Sequence, residues 1–282
     1  MSMFHQSQLL DFWRGVVDPL GIGMPEAIAA EIASYTGENP EQVLLKMEKG
    51  TEDFKQLWTS RQVDVGDAAD VERFYRDQFV EAYELANWHC GRTNGTPPLN
   101  YAFAALLARH DGLSRVLDFG SGIGTGSIGL ASVGCEVHSA DIADQLLDFV
   151  GHRMSKRGYQ ARLVRLSRGQ KPVSGYYDLI TCFDVLEHVP DQRAKLAELE
   201  GYLRYGGILV VNLMYDSTHA DRPMHISSAG SPLKLVRQTG FKPDWRGFSF
   251  DRQLLVRTRT ARLSNQIARF VDHKAAGMTC SL

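Results

Sequence analysis

Val116-Leu117-Asp118-Phe119-Gly120-Ser121-Gly122-Ile123-Gly124-Thr125 is the stretch on which the reading of this 282-residue chain turns. Arg115 to Phe119 reads as a strand that ends beside a carboxylate, and glycines follow at alternate positions 120, 122 and 124. Glycines there remove side chains that would hold a ligand away from the backbone, and the helix that follows offers unpaired N–H groups. A nucleotide-like ligand fits such a turn. Asp141 closes the next strand about 20 residues on, where a carboxylate can accept hydrogen bonds from both ribose hydroxyls.

Outward from this loop, short apolar runs alternate with helical patterns. Strands are expected at Arg115 to Phe119, Glu136 to Ala140, Ala161 to Leu166, Asp178 to Phe183, Gly207 to Leu213, Phe241 to Phe248 and Gln253 to Arg259. Helices are expected at Gly126 to Val133, Ala143 to Arg157, Gln192 to Leu203 and Ser231 to Thr239, with Gly206-Gly207 stopping the third of these before its strand. The alternation predicts an α/β fold: a Rossmann-like, mostly parallel seven-stranded sheet with helices on both faces. Residues 1–96 read instead as a helical extension ahead of the domain at 97–282. Its helices are expected around Leu9 to Val17, from Glu26 to Tyr35, from Pro40 to a stop at Gly50, from Thr51 to Trp58, and as one long helix from Asp67 to His89.

Two ligand classes share the strand, glycine turn and acid. A dinucleotide fingerprint G-x-G-x-x-G does occur, as Gly124-Thr125-Gly126-Ser127-Ile128-Gly129, but it starts five residues past the strand. The dinucleotide turn needs its first glycine directly after the strand, so that the pyrophosphate meets the helix N-terminus. Starting at Gly120 instead places Thr125 where the third glycine belongs. Val116 to Thr125 resembles the first motif of class I S-adenosylmethionine-dependent methyltransferases. Tyr177 to Asp191, with Phe183-Asp184-Val185-Leu186-Glu187-His188-Val189-Pro190, is similar to that family's fourth-strand motif. Tyr202-Leu203-Arg204-Tyr205-Gly206-Gly207-Ile208-Leu209 is similar to its helix-to-strand turn, with Tyr205 in place of a proline.

The resemblance implies that Asp118, Gly120, Ser121, Gly122 and Gly124 engage the methionine end of S-adenosylmethionine, Asp141 the ribose and Ile142 the adenine face, with Phe183 and Asp184 lining the cofactor. Many members carry an acid after the third strand that reads the adenine amino group. Arg162 to Arg168 offers none, which leaves Ser167 or backbone carbonyls. His188 and His225 are the candidate catalytic bases; His225, in Pro223-Met224-His225-Ile226, equally fits a cap on the helix that follows. Asp184, Glu187 and His188 fall at i, i+3 and i+4, which brings them to one face if the chain turns helical after the strand. With His219 or His225 they compose a carboxylate and imidazole set suited to a divalent metal. A wall of the cofactor pocket is the alternative for Glu187 and His188, and no metal ligand is assigned.

Composition narrows the partners. Net charge is -2 with 44% hydrophobic and 23% charged residues, a balance with no electrostatic bias toward nucleic acid. The four cysteines, Cys90, Cys135, Cys182 and Cys280, form no C-x-x-C pair. They read as reduced thiols, and no run approaches the ~20 apolar residues of a membrane span. A soluble, cytoplasmic enzyme is therefore expected, acting on a small-molecule methyl acceptor at oxygen or nitrogen, an aromatic or specialised metabolite by resemblance. Other chemistry with the same cofactor, or a non-catalytic cofactor-binding subunit, are the alternatives. Tyr75, Phe79, Tyr83 and Trp88 of the extension read either as a lid and aromatic wall or as a helical core, and a homodimer through this region is a further possibility.

Overall fold

The computed structural model describes residues 3–92, 97–212, 223–226, 235–236, 238–244 and 254–259. Helices α1 (Gln6–Val17), α2 (Met24–Thr36), α3 (Pro40–Arg61), α4 (Ala68–Arg76), α5 (Glu81–His89) and α6 (Leu99–Asp111) precede the first strand. Their boundaries follow local chemistry. Pro25 sits in the first turn of α2, and Gly37, at φ 79°, ends that helix. The Asn39 side chain caps α3 by accepting from Glu41 N at 2.8 Å, and Asp67 Oδ1 caps α4 by accepting from Ala69 N at 2.9 Å.

Two expectations here are corrected. Gly50 does not stop a helix: α3 runs through it without a break. A Cβ at Gly50 would lie 2.5 Å from Glu84 N, so the glycine lets the backbones of α3 and α5 approach rather than ending either. The stretch from Asp67 to His89 is two helices, because the Gln78 side chain accepts from Glu81 N at 3.0 Å and starts α5 afresh.

The strands are β1 (Arg115–Phe119), β2 (Glu136–Asp141), β3 (Ala161–Arg165), β4 (Tyr177–Cys182), β5 (Leu203–Asn212), β6 (Phe241–Asp244) and β7 (Leu254–Arg259); between them run α7 (Thr125–Ser132), α8 (Asp144–Lys156) and α9 (Gln192–Tyr202). The sheet order is β3-β2-β1-β4-β5-β7-β6. Its parallel part comprises five strands, β1 to β5; β7 and β6 extend one edge in antiparallel fashion. Pairing of β5 begins at Leu203, ahead of Gly206-Gly207, and its register against β4 shifts between Tyr177 and Leu179. The expected helix from Ser231 to Thr239 lies largely outside the described residues, as does His219.

Side chains alternate along the parallel strands. Val116, Leu179 and Ile208 join a core with Leu9, Trp13, Ile28, Ile32 and Met47 of the N-terminal helices. Leu117, Ile180 and Leu209 face the other way, onto Leu196 and Leu199 of α9. Both faces are thus covered, as a parallel sheet requires. From β1 the chain proceeds to β2 and β3 on one side and returns to β4 and β5 on the other. The order reverses between β1 and β4, where the crevice beyond the strand ends is the favoured ligand position in open α/β sheets.

Candidate active site

The loop after β1 occupies that crevice. Asp118, 1% exposed, accepts from Ser127 Oγ at 2.7 Å and Thr181 Oγ1 at 2.8 Å. Burial raises its carboxyl above the ordinary range, and the two hydroxyls oppose that rise. Gly120, Gly122 and Gly124 all adopt positive φ, at 71°, 50° and 73°. A Cβ on Gly120 would collide with Val185 Cγ2, one on Gly122 would lie 2.8 Å from Leu85 Cδ1, and one on Gly124 would lie 2.8 Å from both Val150 methyls. The three glycines therefore serve both turn geometry and close approach. Ser121 is 4% exposed and its Oγ has no hydrogen-bond partner among the described residues.

Gly126 and Gly129, the rest of the dinucleotide match, lie inside α7. Gly126 lies against the Tyr101 ring, 2.5 Å from a built Cβ, and Gly129 faces Phe12, Val16 and Ala105. They are helix-packing positions, which removes the structural basis for that fingerprint.

Asp141 ends β2. Its Oδ2 accepts from Gly122 N at 2.9 Å and its Oδ1 from Ala143 N at 3.0 Å. Burial pushes its carboxyl up to about 6 in spite of these bonds. Ile142 packs at the edge of an apolar cluster of Phe54, Trp58, Val71, Phe74, Tyr75 and Met224. Ser167 Oγ bonds Asp144 Oδ1 at 2.9 Å. Phe183 is buried, edge-on to Tyr101 with ring centroids 4.8 Å apart.

Beyond β4 the chain does not turn as the spacing suggested. Asp184 adopts φ 52°. Its N–H donates to Asn212 Oδ1 and its Oδ1 accepts from Asn212 Nδ2, both at 2.8 Å. This reciprocal pair with the end of β5 separates Asp184 from the short 3₁₀ turn Leu186–His188. The three-residue face expected of Asp184, Glu187 and His188 is accordingly replaced by Glu187, His188 and His225, which each bring one ligand atom to within 4.8 Å of the others. Ile226 N donates to Glu187 O at 2.6 Å and fixes the segment that carries His225. The rings of His188 and His225 stand 5.0 Å apart.

Tyr75 of α4 enters this cluster. Its hydroxyl lies 2.9 Å from His188 Nδ1, and Met224 O lies 3.2 Å from the same nitrogen. A carbonyl can only accept, so the Met224 contact is a hydrogen bond in the tautomer that carries its proton on Nδ1, whereas the Tyr75 hydroxyl can pair with either form. The phenol stays protonated, since burial first, and then the charges of Glu81, Glu84 and Glu187, raise it well above its ordinary value. Tyr75 was legible as one of four aromatics that fit a lid and aromatic wall or a helical core, with nothing to pair it with His188. Asn212 and Leu85 had no sequence signal that tied them to the site, and Val185 had only its place in the fourth-strand motif.

Comparison with known proteins gives matches over part of the chain. A family model described as "Methyltransferase domain" matches residues 97–254. The chain is 35% identical over 103 residues to a ubiquinone biosynthesis O-methyltransferase of Idiomarina loihiensis, covering 34% of this chain and 42% of that protein. It is 29% identical over 157 residues to a glycine/sarcosine N-methyltransferase of Aphanothece halophytica, covering 53% and 57%. The matches to the ubiquinone biosynthesis proteins span about two fifths of their length. Among solved structures, magnesium protoporphyrin IX methyltransferase from Synechocystis PCC 6803 with bound SAH matches at 19% identity and TM-score 0.47, over 57% of this chain and 82% of that one.

Proposed function

Because the chain belongs to the methyltransferase-domain family, whose methyl donor is S-adenosylmethionine, we propose that it methylates an oxygen or nitrogen of a small molecule, with aromatic or specialised metabolites as acceptors. The donor site is assigned to residues 118–124 with Asp141, Ile142, Phe183 and Asp184. What supports this assignment is the fit of the residues present. Three positive-φ glycines let the loop turn tightly against Val185, Leu85 and Val150, where a Cβ would clash, and Ser121 Oγ is buried there with no hydrogen-bond partner among the described residues. Asp141 holds a carboxylate at the end of β2.

The observation that carries acceptor chemistry is the position of His188, held beyond β4 by Tyr75 and Met224 O and ring to ring with His225. In this reading His188 takes the proton from the acceptor hydroxyl or ammonium. The bound donor supplies an electrophilic methyl group that is transferred by in-line displacement. The chain's part is to hold the acceptor on that line and to shield it, with orientation contributing on the order of 7 to 11 kcal/mol. Tyr75, Phe74, Trp58 and Met224 pack as an apolar, aromatic cluster beside His188, and in this reading a flat acceptor lies against it. Residues 1–96 act, in this reading, as a lid and acceptor wall on the domain at 97–282.

A second reading rests on the convergence of Glu187, His188 and His225. A divalent cation there would be held by these three side chains and would polarise the acceptor oxygen. The test separates the readings. Calorimetry should show tight binding of S-adenosylhomocysteine, and incubation of phenol and amine panels with labelled donor should give a product heavier by one methylene. Activity that survives excess chelator assigns His188 as the base, and activity lost to chelator and restored by added cation assigns the metal. No binding of S-adenosylhomocysteine would overturn the donor assignment itself. Binding without any labelled product would point to other chemistry or to a non-catalytic subunit.

A further inference from the structure

Arg153 is completely buried, with 0% of its surface exposed. A guanidinium sealed from water is costly unless it is paired and its donors are used. Its Nε bonds Glu31 Oε2 at 2.9 Å, and Nη2 lies 2.8 Å from the same oxygen. Its Nη1 donates to Ile123 O at 2.5 Å and to Thr125 Oγ1 at 3.0 Å. Arg157, one turn further along α8, takes Glu31 Oε1 at 2.7 Å and also donates to Val16 O. On the far side of Thr125, His89 Nδ1 lies 2.9 Å from Oγ1, and Trp13 Nε1 donates to His89 O at 2.8 Å. One continuous polar chain thus runs from α2 through α8 and the glycine loop to α5 and α1.

The loop end of that chain matters most. Ile123 stands between Gly122 and Gly124, both at positive φ, where the backbone has more accessible conformations than anywhere else in the site. The central carbonyl of this segment is held by a fully buried side chain of α8, the helix whose Val150 also stands against Gly124. A loop that is ordered before the ligand arrives does not lose that conformational freedom on binding. His89 is uncharged in this network: burial, and then the charge of Arg153, push it down to about 3. It works as a neutral hydrogen-bond partner and not as a base.

We infer that Arg153 is a positioning residue that presets the donor-binding loop, and that Glu31 and His89 make this setting depend on the N-terminal helices. The inference rests on the reading of that loop as the methyl-donor site. It assigns α2 and α5 a role in donor affinity although neither carries a methyltransferase motif.

The experiment uses the full chain and S-adenosylhomocysteine as the probe. Arg153→Met should weaken binding roughly tenfold or more, and Glu31→Gln and Thr125→Val each by roughly three- to tenfold, the scale of a single lost hydrogen bond. Arg153→Lys should recover only part, because one ammonium cannot serve Glu31, Ile123 and Thr125 in that planar geometry. The loss should fall on KM for the donor rather than on kcat or on KM for the acceptor, and amide exchange across residues 120–125 should accelerate. If Arg153→Met does not fold, Glu31→Gln and Thr125→Val decide the matter. Folded forms of these two that bind within twofold of the parent, with unchanged loop exchange, overturn the inference. If the parent itself binds no S-adenosylhomocysteine, the donor reading fails, and the exchange measurement still decides whether Arg153 presets the loop.

Discussion

Replacing Asp141 by asparagine, and varying pH in the parent, probes the proposed donor site through a carboxyl that burial has perturbed. Asp141 is 9% exposed and accepts from Gly122 N and Ala143 N. Burial nevertheless lifts its carboxyl to about 6. Against an ordinary aspartate near about 3.9, this amounts to about 3 kcal/mol held against the ionised form. In the protein without donor, a raised folded value contributes stability that is fully present below about pH 4 and is lost as pH climbs through about 6.

Donor binding runs the opposite way. A ribose diol presents two hydroxyl donors, and the ionised carboxylate accepts both without offering a competing proton. Affinity for S-adenosylhomocysteine should therefore rise about tenfold between about pH 5 and pH 7, as the ionised fraction grows from roughly a tenth to roughly nine tenths, and then level off. In Asp141→Asn the side-chain NH₂ meets one of the two backbone N–H donors head-on, and the charge-assisted bonds are lost. At about 1.5 to 3 kcal/mol, binding at pH 7 should weaken roughly ten- to 150-fold. The variant should also lose the pH slope, so the two proteins converge toward acid. Calorimetry at four pH values and constant ionic strength reads this directly. A parent affinity that is flat across the range, or a variant that keeps the full slope, would refute the reasoning by placing the titrating group elsewhere.

His188→Asn should lower kcat by about 10² to 10⁴ while leaving S-adenosylhomocysteine affinity within twofold, measured by initial rates and calorimetry on the same preparations. Gly120→Ala puts a Cβ into Val185 at a φ of 71°; it should lose donor binding and, from the left-handed backbone alone, about 1 to 2 kcal/mol of stability, part of which Val185→Ala should return in thermal melts. At the opposite end of the sheet, Asp178 accepts from Ser114 N, Arg115 N and Arg204. Burial alone would raise this carboxyl, but the Arg115 amide and the Arg204 and Arg115 guanidiniums hold it well below the usual carboxylate range. Asp178→Ala should cost about 1 to 3 kcal/mol in urea unfolding without changing donor affinity. This contribution is present above about pH 4 and is lost as pH falls further, the reverse of Asp141.

Much of the site was legible because the motif residues act through backbone conformation and local order. Gly120, Gly122 and Gly124 must reach positive φ wherever this turn is built, and Asp118, next to last in β1, and Asp141, last in β2, belong to strands that local patterning already marks. A strand of alternating or continuous apolar residues declares itself over five or six positions. The single continuous reading of Asp67 to His89 failed because helical periodicity carries no information about one side chain, Gln78, that restarts the helix. Gly50 misled for the complementary reason. Its lack of a Cβ answers a neighbour, α5, that lies more than thirty residues away in the chain.

The parts that only tertiary structure decided are those in which a polar group chooses among partners far apart in sequence. Spacing placed Asp184 with Glu187 and His188, but Asn212, 28 positions on, offers it a matched donor and acceptor and draws it off. Helical spacing left Tyr75 either an aromatic wall or a core residue, and 113 positions separate it from His188, the imidazole it meets. Arg153 meets Glu31, 122 positions away, and the loop carbonyl of Ile123 only because the folded chain buries its guanidinium between them. The sequence by itself determined the αβ alternation, the glycine turn and the acid that follows it, since these depend on backbone freedom and short-range pattern. Which groups stand against that turn is a matter of buried polar atoms finding complementary ones, and that is settled only when the chain has closed on itself.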